Sequence, residues 1–159
     1  MLKASIITAV LTGVITSTGA LAGEVIKFKS HHSNVVTKWE SAELGDEPGH
    51  IRANFEAKGI GLGDGAPNEP PCKVDIWGSG EYRKDWSGSD RGYTKYGFSD
   101  GSHFFEEWAG KVANGRNVGS GVYYGGGGRF KGIKGGSTYD CKQMGDRFLC
   151  DVEGTIEFP

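Results

Sequence analysis

The chain has 159 residues, enough to bury one hydrophobic core, and its 18 basic and 20 acidic side chains leave a formal charge of −2. The basic residues are scattered singly, which argues against nucleic acid and anionic membranes as partners, because both are bound through clustered cations. The 28 glycines and the lack of a sustained apolar period of 3.6 residues make helix a minor component.

The first 22 residues have the organisation of a secretory signal peptide. Lys3 gives the start a positive charge, an apolar run covers residues 4–21, and Ala20-Leu21-Ala22 is an A-x-A cleavage site. A membrane anchor is the alternative, but threonine, serine and glycine interrupt the run, so its hydrophobic part is shorter than the ~20 residues that a span needs. We therefore predict cleavage after Ala22, a periplasmic or secreted protein with no integral membrane span after processing, and a single domain over residues 23–159.

Alternation at period two is the recurring pattern of the mature region. Ile51, Ala53, Phe55 and Ala57 share one face of a segment whose other face is polar, which is typical of a strand with one buried side. Similar alternation between short glycine-, serine- and aspartate-rich turns predicts eight or nine strands. We place them at residues 24–30, 34–43, 51–58, 73–83, 92–98, 102–113, 117–124, 135–143 and 148–158.

Tight turns without helical crossovers favour an all-β fold, either a closed antiparallel barrel of about eight strands or a two-sheet sandwich. We prefer the barrel because glycines fall inside the strands, where strong coiling and close backbone approach require them. The glycine- and proline-rich segment 59–71 is predicted to be a mobile loop at the rim and the entrance to any interior cavity.

The three cysteines fit an oxidising compartment. If the chain turns at Gly145-Asp146, counting outward brings Cys141 opposite Cys150 at a non-hydrogen-bonded position, where the two Cα atoms approach most closely. We therefore predict a Cys141–Cys150 disulfide. Cys72 then remains as a buried thiol or, less favoured, as a link to another chain.

The segment Gly125–Tyr139, GGGGRFKGIKGGSTY, is similar to the GGTGRF-x-G-x-x-G-x-x-x-Y turn of barrel proteins related to allene oxide cyclases and plant dirigent proteins, with Gly127 where threonine is usual. The stretch before this segment is similar to the same group of proteins in order and spacing: it contains Asp100-Gly101-Ser102, then an aromatic strand, then Gly119-x-Gly121. The resemblance implies a calycin-like or allene-oxide-cyclase-like barrel that binds an apolar small molecule; some members are cyclases or guide coupling reactions. No family catalytic residue has a matching motif here, so none is carried over.

Glu106 is the candidate acid or base. Phe104, Glu106 and Trp108 share one strand face, and if that face points inward, desolvation between two aromatics raises the pKa of the carboxyl toward the range useful for proton transfer. The alternatives are that a partner satisfies the carboxyl or that Glu106 faces solvent.

The same parity predicts an interior lined by tyrosines, the usual build of a small-molecule site. Ordinary core tyrosines with hydroxyls at the rim are the alternative. Val118 and Val122 are predicted to point inward with them. The predicted ligand-contact residues are Tyr82, Tyr96, Phe104, Trp108, Tyr124 and Tyr139.

The four histidines, His31, His32, His50 and His103, form no metal-binding motif, and adjacent histidines on a strand point to opposite faces. We interpret them as surface or turn-capping residues and predict neither metal nor cofactor. Three functional hypotheses remain: a binder of a small apolar or aromatic molecule, an isomerase or cyclase using Glu106, and a structural or interaction protein with a filled barrel. The sequence leaves the oligomeric state open.

Overall fold

The structure, a computed structural model, describes residues 25–63 and 71–158, and the predicted signal peptide and its cleavage site lie outside these ranges. Eight antiparallel strands follow one another around a closed barrel, with the last paired to the first. The strands are β1 (Val25–Glu43), β2 (Ile51–Gly63), β3 (Cys72–Tyr82), β4 (Gly88–Gly97), β5 (His103–Ala113), β6 (Arg116–Gly127), β7 (Lys134–Met144) and β8 (Arg147–Glu157). The predicted barrel is confirmed, and the sandwich is not formed.

Two predicted boundaries need correction. The segments 24–30 and 34–43 belong to one strand, β1, because residues 31–33 between them pair without interruption with both β2 and β8. The predicted loop 59–71 is shorter, since residues 59–63 extend β2: all five pair with β1, and residues 59–61 also pair with β3. No helix within the described residues is long and apolar enough to cross a membrane.

Because successive strands run in opposite directions, the connections alternate between the two ends of the barrel. The connections 44–50, 83–87, 114–115 and 145–146 lie at one end, which we call the cavity end. The connection 98–102 and the 3-10 turn Gly128–Phe130 lie at the other, the plug end. Of the predicted entrance segment 59–71, residues 64–70 lie outside the described residues, and residues 59–63 end β2 at the plug end.

Apolar side chains fill the barrel at the plug end. Phe104 lies at their centre, with its ring centroid 4.6 Å from that of Tyr96, 4.9 Å from Phe130 and 5.1 Å from Tyr123. We call the buried cluster the plug; it comprises Val74, Tyr96, Phe104, Tyr123, Phe130 and Ile133. The segment that resembles allene oxide cyclases and dirigent proteins supplies Phe130 and Ile133, so its place in the fold is structural.

The predicted Cys141–Cys150 disulfide is confirmed. Met144 pairs with Arg147 across the turn, Cys141 lies opposite Cys150, and the two sulfurs form a disulfide with Cα atoms 3.9 Å apart. Cys72 lies outside this bridge, and its half-buried side chain packs against the plug. The disulfide is compatible with an extracellular location.

Candidate ligand-binding cavity

Above the plug, the barrel holds a cavity of about 460 Å³. Val74 and Tyr96 belong to both the plug and the cavity wall, so the plug forms the cavity floor. Exposed residues at the cavity end, including Trp86, Arg116 and Asp146, also line the cavity, which therefore reaches solvent there. The entrance is thus opposite the end predicted from the sequence.

Aromatic rings form much of one wall. The centroid of Trp39 lies 5.9 Å from that of Phe55, 5.7 Å from Tyr82 and 6.1 Å from Trp86. Phe55 in turn contacts Trp108, deeper in the barrel, at 6.3 Å. These rings come from β1, β2, β3, β5 and the turn after β3, so the wall is apolar across several strands. Such a surface suits an apolar or aromatic ligand.

Trp86 is held at the mouth by an unusual turn. Its backbone has φ of 60°, in the left-handed region that a bulky side chain adopts only at a cost of roughly 1 kcal/mol or more. The Asp85 carboxylate stabilises the turn by accepting hydrogen bonds from the Ser87 N–H at 2.9 Å and the Ser87 hydroxyl at 2.6 Å. Strain of this kind tends to occur at functional positions.

Glu106 lies near the cavity floor and is 3% exposed. Tyr96 donates a hydrogen bond to its Oε2 at 2.6 Å, and Ser137 donates a short one to Oε1. Burial raises the pKa of the Glu106 carboxyl, and these two hydrogen bonds oppose the rise. Both carboxyl oxygens therefore have hydrogen-bond partners. Glu106 faces the barrel interior, as predicted, and its partners satisfy the carboxyl, as the first alternative expected.

Asp90 is a second buried carboxyl in the same cavity, 6% exposed. Its Oδ2 accepts hydrogen bonds from Asn117 Nδ2 at 2.7 Å and from the Tyr82 hydroxyl at 3.4 Å. Its Oδ1 is buried without a hydrogen-bond partner. Burial raises the pKa of Asp90 to about 6, against the opposing effect of the two donors.

Burial, and then the charges of Asp90 and Glu106, raise the pKa of the Tyr139 hydroxyl, which lines the same cavity. Its oxygen is also buried without a partner, as are the Trp108 Nε1, the Asn117 Oδ1 and the Asn34 Oδ1. Native interiors leave few polar atoms unsatisfied. Four such side chains in one cavity wall are therefore candidates for contact with a ligand.

The expectation that all four histidines are surface or turn-capping residues is wrong for His32, which is buried and lines the cavity. The Ser30 hydroxyl lies 3.0 Å from its Nε2. Burial, and secondarily the charge of His31, lowers its pKa to about 4, so its ring is neutral at pH 7. His50 caps its turn as expected, 2.8 Å from an Asp46 oxygen. In the described parts of the chain, no three His, Cys, Asp or Glu side chains gather in a group able to hold a metal ion.

Of the residues predicted to contact a ligand, Tyr82, Tyr96, Trp108 and Tyr139 line the cavity. Phe104 instead lies within the plug. The interior position predicted for Tyr124 is wrong: Tyr124 is 42% exposed on the outside of β6.

Val118 and Val122 also face outward, and Tyr123 is the buried tyrosine of this strand. The inward positions beside it are Gly119 and Gly121. A Cβ on Gly121 would lie 2.3 Å from Glu106 Oε1, so the glycine gives the carboxyl its space. Small residues therefore mark the inner face of β6, while valines cover the outer face.

Asp90 is the main residue that the sequence interpretation missed. The strand predicted over residues 92–98 starts too late, because β4 begins at Gly88. Within β4, Asp90 and Thr94 share the inward face of Tyr96, and all three are buried. Extending the alternation of this strand by two residues would have found Asp90.

No protein-family model and no curated protein sequence matches the chain. Two solved structures resemble the chain over 86% of its length. The first is a pterocarpan synthase dirigent protein, which is 10% identical, has a TM-score of 0.54 and is covered over 97% of its own chain. The second is a conserved protein of unknown function from Rhodopseudomonas palustris, which is 13% identical, has a TM-score of 0.52 and is covered over 99% of its own chain. The fold is a dirigent-like β-barrel. At such low identity, the likeness establishes the dirigent-like architecture alone.

Proposed function

We propose that this barrel binds a small apolar or aromatic molecule in its cavity. The observation that carries the proposal is the combination of a solvent-connected cavity of about 460 Å³ with an aromatic wall and buried polar atoms that lack partners. Ligand sites are usually concave, mostly apolar and supplied with a few convergent polar groups. A filled barrel would leave no such space.

Binding of the neutral fluorescent probe N-phenyl-1-naphthylamine tests this proposal. In the double variant Val36→Trp/Val112→Trp, two indoles narrow the cavity, because both valines line it. We expect this variant to bind the probe at least about tenfold more weakly than the wild type. The matched control is Val118→Trp/Val122→Trp, which adds the same side chains to the outer face of β6.

The control variant should keep wild-type affinity, and circular dichroism should show that both variants are folded. Equal affinity in all three proteins, or no binding by the wild type, would exclude the cavity as the site. Native mass spectrometry of protein purified from its own host would then identify any retained molecule.

A second candidate is an isomerase or cyclase in which Glu106 acts as acid or base. It is favoured by the buried carboxyl with its raised pKa, and by Tyr96 and Ser137, which hold its two oxygens in fixed positions. The likeness to a pterocarpan synthase dirigent protein agrees with this candidate only at the level of the fold.

The variant Glu106→Gln keeps the shape of the side chain and removes its ability to exchange a proton. We expect it to abolish conversion of a ligand recovered from natively purified protein, followed by chromatography, while the affinity stays within a few-fold of wild type. An unchanged rate would remove Glu106 from the mechanism.

We also propose that the protein acts outside the cytoplasm, in the periplasm or as a secreted protein. The N-terminal pattern that ends at Ala22 and the Cys141–Cys150 disulfide support this location. N-terminal sequencing of the protein from its host should start at Gly23, and a start at Met1 would argue against export.

A further inference from the structure

Three oxygen atoms of cavity-lining residues converge beside Gly110. A Cβ built on this glycine would lie 2.3 Å from the Tyr139 hydroxyl oxygen, 2.4 Å from Asn117 Oδ1 and 3.2 Å from Asp90 Oδ1. All three atoms are buried, and none has a hydrogen-bond partner in the described residues. They come from β4, β6 and β7, so the rigid barrel, and not a single loop, brings them together.

The cluster is rich in hydrogen-bond acceptors. Asn117 donates its amide N–H to Asp90 Oδ2, which fixes the amide orientation and leaves its carbonyl oxygen at the cluster. Tyr82 also donates to Oδ2, so Oδ1 is the oxygen of Asp90 that is left over. A ligand group that satisfies the cluster must therefore donate several hydrogen bonds.

The charges around the cavity favour a cation. Among the described residues that line it, Asp90, Glu106 and Asp146 carry carboxyls, while Arg116 is the one Lys or Arg. The Arg116 guanidinium already pairs with Asp140 through two hydrogen bonds. His32 adds no charge at pH 7, because burial keeps its ring neutral.

From this geometry we propose that the cavity ligand carries a primary ammonium group, which donates its three N–H bonds to Asp90 Oδ1, Asn117 Oδ1 and the Tyr139 hydroxyl oxygen. The inference rests on the proposed binding function and names the chemical class of the ligand. An ammonium has three donors and no acceptor, which matches three acceptor oxygens of which one belongs to a carboxylate. The aromatic wall around Trp39 accommodates the apolar body of the same molecule.

Isothermal titration calorimetry at pH 7.5 tests the proposal with pairs of probes that differ in one group. Benzylamine, 2-phenylethylamine and 3-phenylpropylamine are each compared with the alcohol of the same length. We expect the best amine to bind at least about tenfold more tightly than its alcohol, because a charge-assisted hydrogen bond is worth more than a neutral one. The trimethylammonium analogue of that amine, which has no N–H, should bind as weakly as the alcohol or more weakly.

Asp90→Asn should weaken binding of the best amine by about 10- to 100-fold, since the variant removes the charge and can present N–H to the ammonium. The matched control is Asp75→Asn, which removes a carboxylate outside the cavity lining, on the neighbouring β3. It should leave the affinity within about twofold.

Equal binding of amine and alcohol, equal binding of the trimethylammonium analogue, an unchanged affinity in Asp90→Asn, or no saturable binding of any amine would each overturn the ammonium proposal. None of these outcomes affects the test of the proposed function, in which the cavity variant Val36→Trp/Val112→Trp is compared with its control Val118→Trp/Val122→Trp for binding of N-phenyl-1-naphthylamine. Failure of that comparison alone would instead overturn the proposed cavity function.

Discussion

The two ends of this barrel are built from the same eight strands but packed in opposite ways. At the plug end, Phe104 contacts the rings of four other aromatic residues and little space is left. At the cavity end, aromatic rings line the wall and leave about 460 Å³ between them. The plug therefore holds the barrel together, and the cavity end carries the groups available to a ligand.

The ends also differ in charge. The core of the plug is apolar, and Arg129 covers it from the side, 4.6 Å from the ring centroid of Phe98 and 4.8 Å from that of Phe130. The cavity instead buries Asp90 and Glu106. Burying a carboxyl is costly unless hydrogen bonds compensate, so the cavity end gives up stability that the plug must supply.

The largest effect should come from emptying the plug. Phe104→Ala is expected to lower the free energy of unfolding by about 3–5 kcal/mol, the usual cost of removing a fully packed phenylalanine. Phe55→Ala, on the cavity wall, should cost less than half as much, because one side of that ring already faces open space. Urea unfolding followed by fluorescence measures both, and equal costs would contradict the division between plug and cavity.

The cavity end should also determine the pH dependence of stability. The folded protein raises the pKa of Asp90 from 3.8 to about 6, so it holds a proton between these values that the unfolded chain has lost. This contribution is fully present below about pH 4 and disappears as pH rises to about 6, a loss of at most about 3 kcal/mol. Urea unfolding from pH 4 to 7 measures it as the difference between the wild type and Asp90→Asn.

The difference between the two proteins isolates Asp90 from other titrating groups. His32 acts in the opposite direction, since its lowered pKa makes stability rise with pH between about 4 and 6.5. His32 is present in both proteins, so its effect cancels. A difference that stays constant from pH 4 to 7 would mean that the Asp90 carboxyl is not desolvated.

A smaller effect is expected from the disulfide, which ties β7 to β8 beside the cavity. Its cysteines are 9 residues apart, and the loop-closure entropy of so short a loop corresponds to about 2–3 kcal/mol. Cys141→Ser/Cys150→Ser should lower the free energy of unfolding by this amount. Dithiothreitol should destabilise the wild type to the same extent and leave the double variant unchanged, and insensitivity of the wild type would contradict the assignment.

Alternation along the chain predicted the barrel because most inward positions are apolar, as in Ala53, Ala57 and Val152, all of which are buried. The disulfide followed from the same logic, since the pairing of Cys141 with Cys150 depends only on the position of the turn. The strand pattern therefore contains most of the information about the fold.

The cavity could be predicted only in part, because its construction departs from the simple pattern. Gly119 and Gly121 occupy inward positions of β6, where a Cβ would meet the Tyr139 hydroxyl at 2.4 Å and the Glu106 carboxyl at 2.3 Å. The exposed Val118 and Val122 then appear to be the core face when hydrophobicity alone is counted. Which end is open depends on how side chains from distant strands fill space, and short-range alternation carries no such information.

The smallest effect concerns Trp86, at the mouth of the cavity. Trp86→Ala and Trp86→Gly remove the same ring contacts with Trp39 and Tyr82, but only glycine adopts a φ of 60° without strain. We therefore expect Trp86→Gly to be more stable than Trp86→Ala by about 1 kcal/mol in urea unfolding. Both variants should release N-phenyl-1-naphthylamine faster than the wild type in stopped-flow measurements, because the ring at the mouth is gone. If alanine proves as stable as glycine, the turn stores no strain; if the probe leaves all three proteins at the same rate, Trp86 does not restrict the mouth. The two readouts separate the backbone conformation from the ring that it holds in place.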